Sequence, residues 1–547
     1  MLPFLAGASA RQCGPSFIHA KPTTLTYLSI VTKPYRPKNI SRNLVIYWLA
    51  FLITAIVSFF MSPFVVGQLG TTAYGAWALL GALLGYLALL DFGVRGTVTR
   101  YVAHRHATGD HKGSSEIASA GIVMFGLLGT IALLVSGVFA FLSPLLFNLP
   151  ASLIADTQII LVVGGLTTAV TFVGAVFGGV VAGLERFDIS SGIDIFVTVV
   201  RTIAVVVVLS AGYGLVSLAL VHLGASIVSG VASWLAVRRL YPELRLSFRA
   251  PLMPHMRTIL SFSVFLSALH FFTVLVYHSD ALIIAVFLPV SSVTYFAIAG
   301  NLCDYARQVA SAISMQMTPR VSAMTAIGSS DVGEEILRAA RLATLLTAPI
   351  AITFFIRGES FINLWMGVEY GPVSGEILQV LALVVLLGGA RLVATSSIIG
   401  VNKHRSILPF FALEAVSNIV LSAVLARPFG VVGVAIGTLI PSLIVNLGFI
   451  PRLLDKAIGI PARHFYLSAW LLPTVACIPF AAAIYFFEQY FAARNLAIFF
   501  VQVISMLPLV LAAAYVICLS ESERIKVKTV IGKIAGLMLP ANGKRKP

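Results

Sequence analysis

Three arginines stand where an apolar chain should carry no charge. Arg201, Arg307 and Arg391 fall near the middle of long apolar runs, and Asp194, Asp280, Asp304 and Glu414 lie in the same or neighbouring runs. A charge at mid-bilayer costs about 2.5–3.5 kcal/mol on insertion scales, so each needs a partner or a task. Asp304 and Arg307 are three residues apart and share a helix face; Asp194 and Arg201 are seven apart, two turns along one face. One reading is that such pairs neutralise each other and join helices. The other is that the guanidinium groups line a watery cavity and grip an oxyanion through two parallel hydrogen bonds. Arg391 has no acidic residue within one turn, which weakens the first reading there. Asp280, with His278 beside it, is a candidate for taking up a coupling proton, since histidine titrates near neutral pH. A lone helical histidine is more often simply hydrogen-bonded in place.

The elements that position these residues are membrane helices. The 547-residue chain is 59% hydrophobic and 11% charged, with a mean hydropathy of +0.97; a soluble domain carries about a quarter charged residues. It holds about fourteen apolar runs of the roughly 20 residues that a bilayer crossing needs. Arg201 belongs to the fifth, Asp280 to the seventh, Arg307 to the eighth, Arg391 to the tenth and Glu414 to the eleventh. The net charge is +16, and of the 37 Lys and Arg residues, 31 fall in loops on one side, three on the other and three inside helices. That bias predicts that both termini lie in the cytoplasm. It assigns the basic face to anionic lipid headgroups and argues against nucleic acid.

Nothing in the chain suggests catalysis. The four cysteines (Cys13, Cys303, Cys477, Cys518) have neither disulfide nor metal-site spacing. No phosphate-binding G-x-x-x-x-G-K-[ST] loop, H-E-x-x-H or G-x-S-x-G motif occurs. Asp91-Phe92-Gly93 matches a kinase triplet by chance, at the end of an apolar run. No loop is long enough to fold as a soluble domain, which needs about 50 residues. The expectation is a transporter, not an enzyme, with no cofactor and no metal site. In the tail, Ile525, Val527, Val530, Ile531, Ile534 and Leu537 alternate with Lys526, Lys528 and Lys533, which suits a short helix at the headgroups or a frayed basic end.

The chain also repeats itself. Tyr74-Gly-Ala-Trp-Ala returns as Tyr295-Phe-Ala-Ile-Ala, Arg100 to Gly109-Asp110 as Arg320 to Gly328-Ser329, Gly183-Leu-Glu-Arg as Gly400-Val-Asn-Lys, and Gly212-Tyr-Gly-Leu-Val as Pro428-Phe-Gly-Val-Val. The offsets stay between 216 and 221 residues and keep their order, so a whole bundle is duplicated. Internal repeats of this kind build secondary transporters with the substrate site between the halves. The predicted organisation is an arm over 1–42, helices 1–6 over 43–236, a linker over 237–258, helices 7–12 over 259–453, helices 13–14 over 454–519 and a basic tail over 520–547.

The stretch Pro63-Phe-Val-Val-Gly-Gln-Leu-Gly-Thr-Thr-Ala-Tyr-Gly-Ala-Trp-Ala-Leu-Leu, followed by Leu90-Asp-Phe-Gly-Val, Arg100-Tyr-Val-Ala and Thr108-Gly-Asp, resembles bacterial polysaccharide-biosynthesis transporters of the Wzx type. Asp280-Ala-Leu-Ile-Ile, Tyr295, Met317-Thr-Pro-Arg and Leu364-Trp-Met-Gly-Val-Glu-Tyr continue it, so the resemblance covers about 43–460. It implies the multidrug/oligosaccharidyl-lipid/polysaccharide exporter superfamily: an all-α polytopic protein with two six-helix lobes around a central cavity, plus two optional helices. It implies a flippase that carries a polyprenyl-diphosphate-linked oligosaccharide across the bacterial inner membrane by alternating access, with polysaccharide polymerase machinery as a candidate partner. Arg201, Arg307 and Arg391 would then face the diphosphate, with Asp194, Asp280, Asp304, Glu414 and His278 in ion coupling or helix pairing. A cation-coupled multidrug exporter needs acidic cavity residues instead; a lipid II-type flippase and, further off, a membrane glycosyltransferase or polymerase are the other readings.

Overall fold

The computed structural model describes residues 40–247, 253–525 and 528–529; most of the expected arm, the middle of the linker and most of the basic tail, with most of its amphipathic pattern, lie outside the described residues. The chain is all α. In order it runs α1 (Ile40–Leu87), α2 (Val94–Ala107), α3 (His111–Leu146), α4 (Ala151–Gly183), α5 (Phe187–Ser210), α6 (Leu215–Leu240), α7 (Met253–Phe287), α8 (Ser291–Ala326), α9 (Val332–Trp365), α10 (Gly371–Gly400), α11 (Leu408–Leu443) and α12 (Ile450–Ile458). The short α13 (Ala462–Phe465) and α14 (Leu472–Ala476) lead into α15 (Ile478–Tyr490) and α16 (Leu496–Ile517). No strand occurs among the described residues.

Eleven stretches are long and apolar enough to cross a membrane. Two of them each hold two crossings, because α1 breaks at Gly70 (φ 76°) and α11 at Gly430 (φ 59°). The 36-residue α8 adds one more; Asn301, Asp304 and Arg307 make it polar without shortening it. The described residues therefore hold fourteen helices of membrane length, as many as the apolar runs predict.

The duplication extends into the backbone. Left-handed residues recur at the repeat offset at Gly109 and Gly328 (φ 74° and 66°) and at Glu185 and Asn402 (57° and 59°), and a third pair, Gly212 and Gly430 (84° and 59°), falls within two residues of register. Each ends a helix and turns the chain back, so the same three reversals are built twice. One difference separates the halves. Phe92 and Gly93 are both left-handed and break the first copy into a short turn and α2, whereas α8 runs straight past Ala312 at the matching position.

Gly430 makes α11 an antiparallel hairpin. Asn418 Nδ2 lies 3.0 Å from Thr438 Oγ1 across it, and Ser422 donates to the Val434 carbonyl at 3.1 Å. The two arms approach so closely that a Cβ on Gly437 would stand 2.5 Å from the Ser422 amide nitrogen. Between the halves, α1 packs on α7 and α8. At the end poor in basic residues the halves are tied together: Thr294 donates to the Thr71 carbonyl at 2.6 Å, Thr71 meets the Tyr370 hydroxyl at 3.1 Å, and the Asn148 amide donates to Ala285 at 2.9 Å.

The last two helices are bolted to α9 at both ends. Arg357 is fully buried; it donates to Glu488 of α15 at 2.5 Å and to Gln502 of α16 at 2.9 Å, with its guanidinium 4.5 Å from the Phe499 ring. At the basic end Arg341 and Arg338 hold Glu523 at 2.8 and 3.0 Å. Burial opposes ionisation of Glu523, but the Ser520 amide and these two guanidinium groups outweigh it and hold its carboxyl below the ordinary range. A left-handed position such as Gly430 strains any side chain by about 1–3 kcal/mol. Gly430→Ala should therefore lower the melting temperature of the purified protein, while Gly388→Ala, in open space within a helix, should hold or raise it.

Candidate functional site

Between the halves lies a cavity of about 490 Å³. The broken α1 contributes Tyr74 and Trp77, α7 contributes Tyr277 and His278, and α8 contributes Asn301, Asp304 and Arg307. These α8 residues recur at helical spacing, so the polar stripe that lowers its hydropathy faces this space. Asn301 reaches the Tyr74 hydroxyl at 3.5 Å across the interface. Arg307 stacks over the Tyr277 ring at 3.9 Å and pairs with Asp304 on its own helix. A smaller pocket of about 70 Å³ continues from Asp304 and Arg307 toward Arg391 and Glu414.

Of the three arginines predicted from sequence, Arg307 and Arg391 share this smaller pocket and Arg201 lies apart. Arg391 grips Glu414 with both arms of its fork, at 2.6 and 2.5 Å, and both side chains are buried (8% and 1% exposed). Its missing partner comes from the next helix in sequence, 23 residues on. The Asp304–Arg307 pair is open by comparison, at 48% and 25% exposed. This contrast decides between them. A water-facing pair is worth about 0–1 kcal/mol and can exchange partners. Removing one member of a buried pair costs about 3–5 kcal/mol, because the other is left uncompensated. The Arg307 pair is thus open and exchangeable, and the Arg391 pair is buried and fixed.

Arg201 and Asp194 line a separate pocket of about 300 Å³ inside the first half, between α4, α5 and α6, together with Arg95 and His222. Its boundary with the larger cavity is Trp77, whose ring stands 5.0 Å from that of His222. His278 and Asp280, neighbours in sequence, are parted by the helix. His278 sits over Tyr86 and Gly85 at the first half, whereas Asp280 turns into the α11 hairpin. Residues two apart on a helix do not face each other, so the two do not act as one group.

Asp280 is the centre of a buried polar cluster that the sequence did not reveal. Thr438 donates to its Oδ2 at 2.9 Å, Ser279 donates to Asn418 Oδ1 at 3.0 Å, and Ser422 is close by. The other carboxylate oxygen, Oδ1, is buried with no hydrogen-bond partner. One carboxylate among neutral amide and hydroxyl oxygens is a hard donor set suited to a small cation of low charge. Beyond α8, on the face opposite Arg307, an apolar cavity of about 540 Å³ is walled by Phe59, Tyr305, Phe354, Phe361 and Phe499. The sequence signal for these two sites was faint: single polar residues in the Pro-interrupted 407–453 region, and aromatics that look like ordinary core.

Comparison with known proteins follows the same lines. The family described as "Polysaccharide biosynthesis protein" matches residues 40–325. The chain is 23% identical over 447 residues to the uncharacterized membrane protein EpsK of Bacillus subtilis, covering 80% of this chain and 87% of EpsK. It is 25% identical over 407 residues to the probable flippase AglR of Haloferax volcanii, covering 72% and 79%. In structure it resembles the lipid II flippase MurJ in an inward closed conformation (TM-score 0.69, 14% identity, 86% of this chain and 98% of MurJ). It also resembles an inward-facing multidrug resistance transporter of the MATE family (TM-score 0.61, 13% identity, 76% and 98%). At such identities the structural likeness is one of fold. For the buried fork, Arg391→Ala should sharply reduce protein yield and melting temperature, and Arg391→Met combined with Glu414→Leu should restore both; size-exclusion profiles and thermal unfolding of the three proteins measure this.

Proposed function

The chain belongs to the polysaccharide biosynthesis protein family, and on that footing we propose that it is a flippase for a polyprenyl-diphosphate-linked oligosaccharide, working by alternating access in the inner membrane. The observation that carries this reading is the interlobe cavity, which joins an exchangeable arginine to an aromatic wall. Arg307 meets the diphosphate, for which its planar fork is matched. Tyr74, Trp77 and Tyr277 offer flat apolar faces with polar edges to the sugar rings. The apolar cavity behind α8 accommodates the first isoprene units, and the rest of the tail stays in lipid. The dianion displaces Asp304 from Arg307, an exchange that the low worth of an open pair permits.

Residues 43–236 and 259–453 act as the two moving lobes. Their ties at Thr71–Thr294, Thr71–Tyr370 and Asn148–Ala285 close one mouth, and the positive-inside bias assigns that mouth to the outer face. Opening it delivers the headgroup outward. The basic opposite face meets anionic lipid, and a polysaccharide polymerase would take the product onward. The Asp280 cluster binds the coupling cation. Because it bridges α7 to the α11 hairpin, filling or emptying it changes how those elements pack.

Fold alone does not separate this reading from a multidrug exporter or a lipid II-type flippase; the family and the cavity chemistry favour it. In proteoliposomes carrying a fluorescent polyprenyl-diphosphate-linked saccharide, Arg307→Ala should slow translocation by about tenfold or more, the worth of charge-assisted bonds to the ligand. Arg307→Lys should recover only part of it. Wild-type rates in Arg307→Ala, or in Asp304→Ala combined with Arg307→Ala, would reduce Arg307 to a structural role. Asp280→Asn should abolish the response of translocation to a sodium gradient while leaving saccharide-lipid affinity unchanged; an undiminished response would remove the cation from Asp280.

A further inference from the structure

The pocket inside the first half has a charge balance that diphosphate binding at Arg307 does not use. It is walled by hydroxyl groups, among them Thr167, Ser226 and Ser229, and by the guanidinium groups of Arg95 and Arg201. Its one carboxylate, Asp194, has Arg95 as its electrostatic neighbour. Arg201 is half-buried and, among the described residues, no carboxylate pairs with it; its neighbour His222 carries no negative charge and cannot neutralise it. A guanidinium left so within the membrane span is expensive. The other two central arginines each have an acid beside them, so a third without one calls for an anion brought from outside.

The position of the pocket narrows which anion this is. The apolar cavity and Arg307 share α8, which keeps the polyprenyl tail and its diphosphate in the second half. The Arg201 pocket opens beyond Trp77 and His222, on the other side of the interlobe cavity. A headgroup anchored at Arg307 and laid along the aromatic wall brings its distal sugars there. Hydroxyl-lined walls suit a saccharide, and the unpaired guanidinium suits a carboxylate or phosphate ester on it. We infer that Arg201 reads an acidic sugar, so that the transported glycan carries a uronic acid or another anionic substituent. This rests on the diphosphate being held at Arg307.

The test uses the full-length purified protein and three probes: bare polyprenyl diphosphate, the same lipid bearing a disaccharide that ends in glucose, and one ending in glucuronate. Wild-type protein should bind the glucuronate probe about tenfold more tightly than the glucose probe, the equivalent of one good charge-assisted contact. Arg201→Gln should erase that preference and leave affinity for the other two probes within about twofold. Arg201→Lys should keep a reduced preference, and it substitutes as the readout if the glutamine variant does not accumulate. Arg307→Gln should weaken all three probes by a common factor and keep the preference. A wild-type protein with no preference overturns the inference, as does a preference that survives in Arg201→Gln. Equal weakening of all three probes by Arg201→Gln also overturns it, since that would make Arg201 a second diphosphate ligand. If Arg307→Gln weakens none of them, the diphosphate reading fails instead, and the ratio between the two saccharide probes still reports on Arg201.

Discussion

The Arg391–Glu414 fork shows the constraint on which the rest of this structure turns. An ionised group taken out of water loses several kcal/mol of hydration, and only a close counter-charge with its hydrogen bonds made can offset that. The fork meets the condition in full, two parallel bonds between neighbouring helices with both groups buried. Arg357 meets it with Glu488, Gln502 and the face of Phe499. These buried pairs fasten α10 to α11, and the last two helices to α9. The Arg391–Glu414 fork has no spare capacity and is a poor place to bind anything, while Arg357 keeps one guanidinium nitrogen, Nη2, without a hydrogen-bond partner.

The charges that satisfy the constraint incompletely are arranged differently. Asp304 and Arg307 pair but remain open to the cavity, Asp280 has one carboxylate oxygen without a donor, and Arg201 pairs with no carboxylate among the described residues. In hydrocarbon each would be intolerable; beside a water-filled cavity each becomes a site with a capacity left over. Arg201 lies inside the first half, whereas Asp304, Arg307 and Asp280 line one small pocket where the interface meets the α7–α11 packing. Asp280 and Arg307 are near enough to act on each other electrostatically as well as through helix packing.

Duplication supplies the moving parts. The matched left-handed turns at Gly109 and Gly328, Glu185 and Asn402, and Gly212 and Gly430 give both halves the same helix reversals. The two copies of the Tyr74 and Tyr295 segments then meet at their common end, where Thr71 and Thr294 bond directly. Such a contact between equivalent segments is small and polar, so it can break and re-form at low cost. The asymmetries are as informative. The first copy is broken at Phe92 and Gly93, and only the second carries the Asp280 cluster and the attached α15 and α16.

The sequence by itself determined the membrane class, the helix count, the duplication and the list of charges that needed an explanation. All of these follow from hydropathy and spacing along one chain, and bilayer thickness converts apolar length into crossings with little ambiguity. It also identified Asp304 as the partner of Arg307, because a three-residue spacing on a helix is a contact. Tertiary structure alone decided which charges are committed. Glu414 reaches Arg391 from another helix, Glu488 reaches Arg357 from 131 residues away, and no local spacing predicts either. It likewise turned His278 and Asp280 to opposite sides and gathered Asn418, Ser422 and Thr438 around the aspartate by folding α11 at one glycine. Pairing energy depends on separation in space and on exclusion of water, and a linear pattern encodes neither beyond a single helical turn.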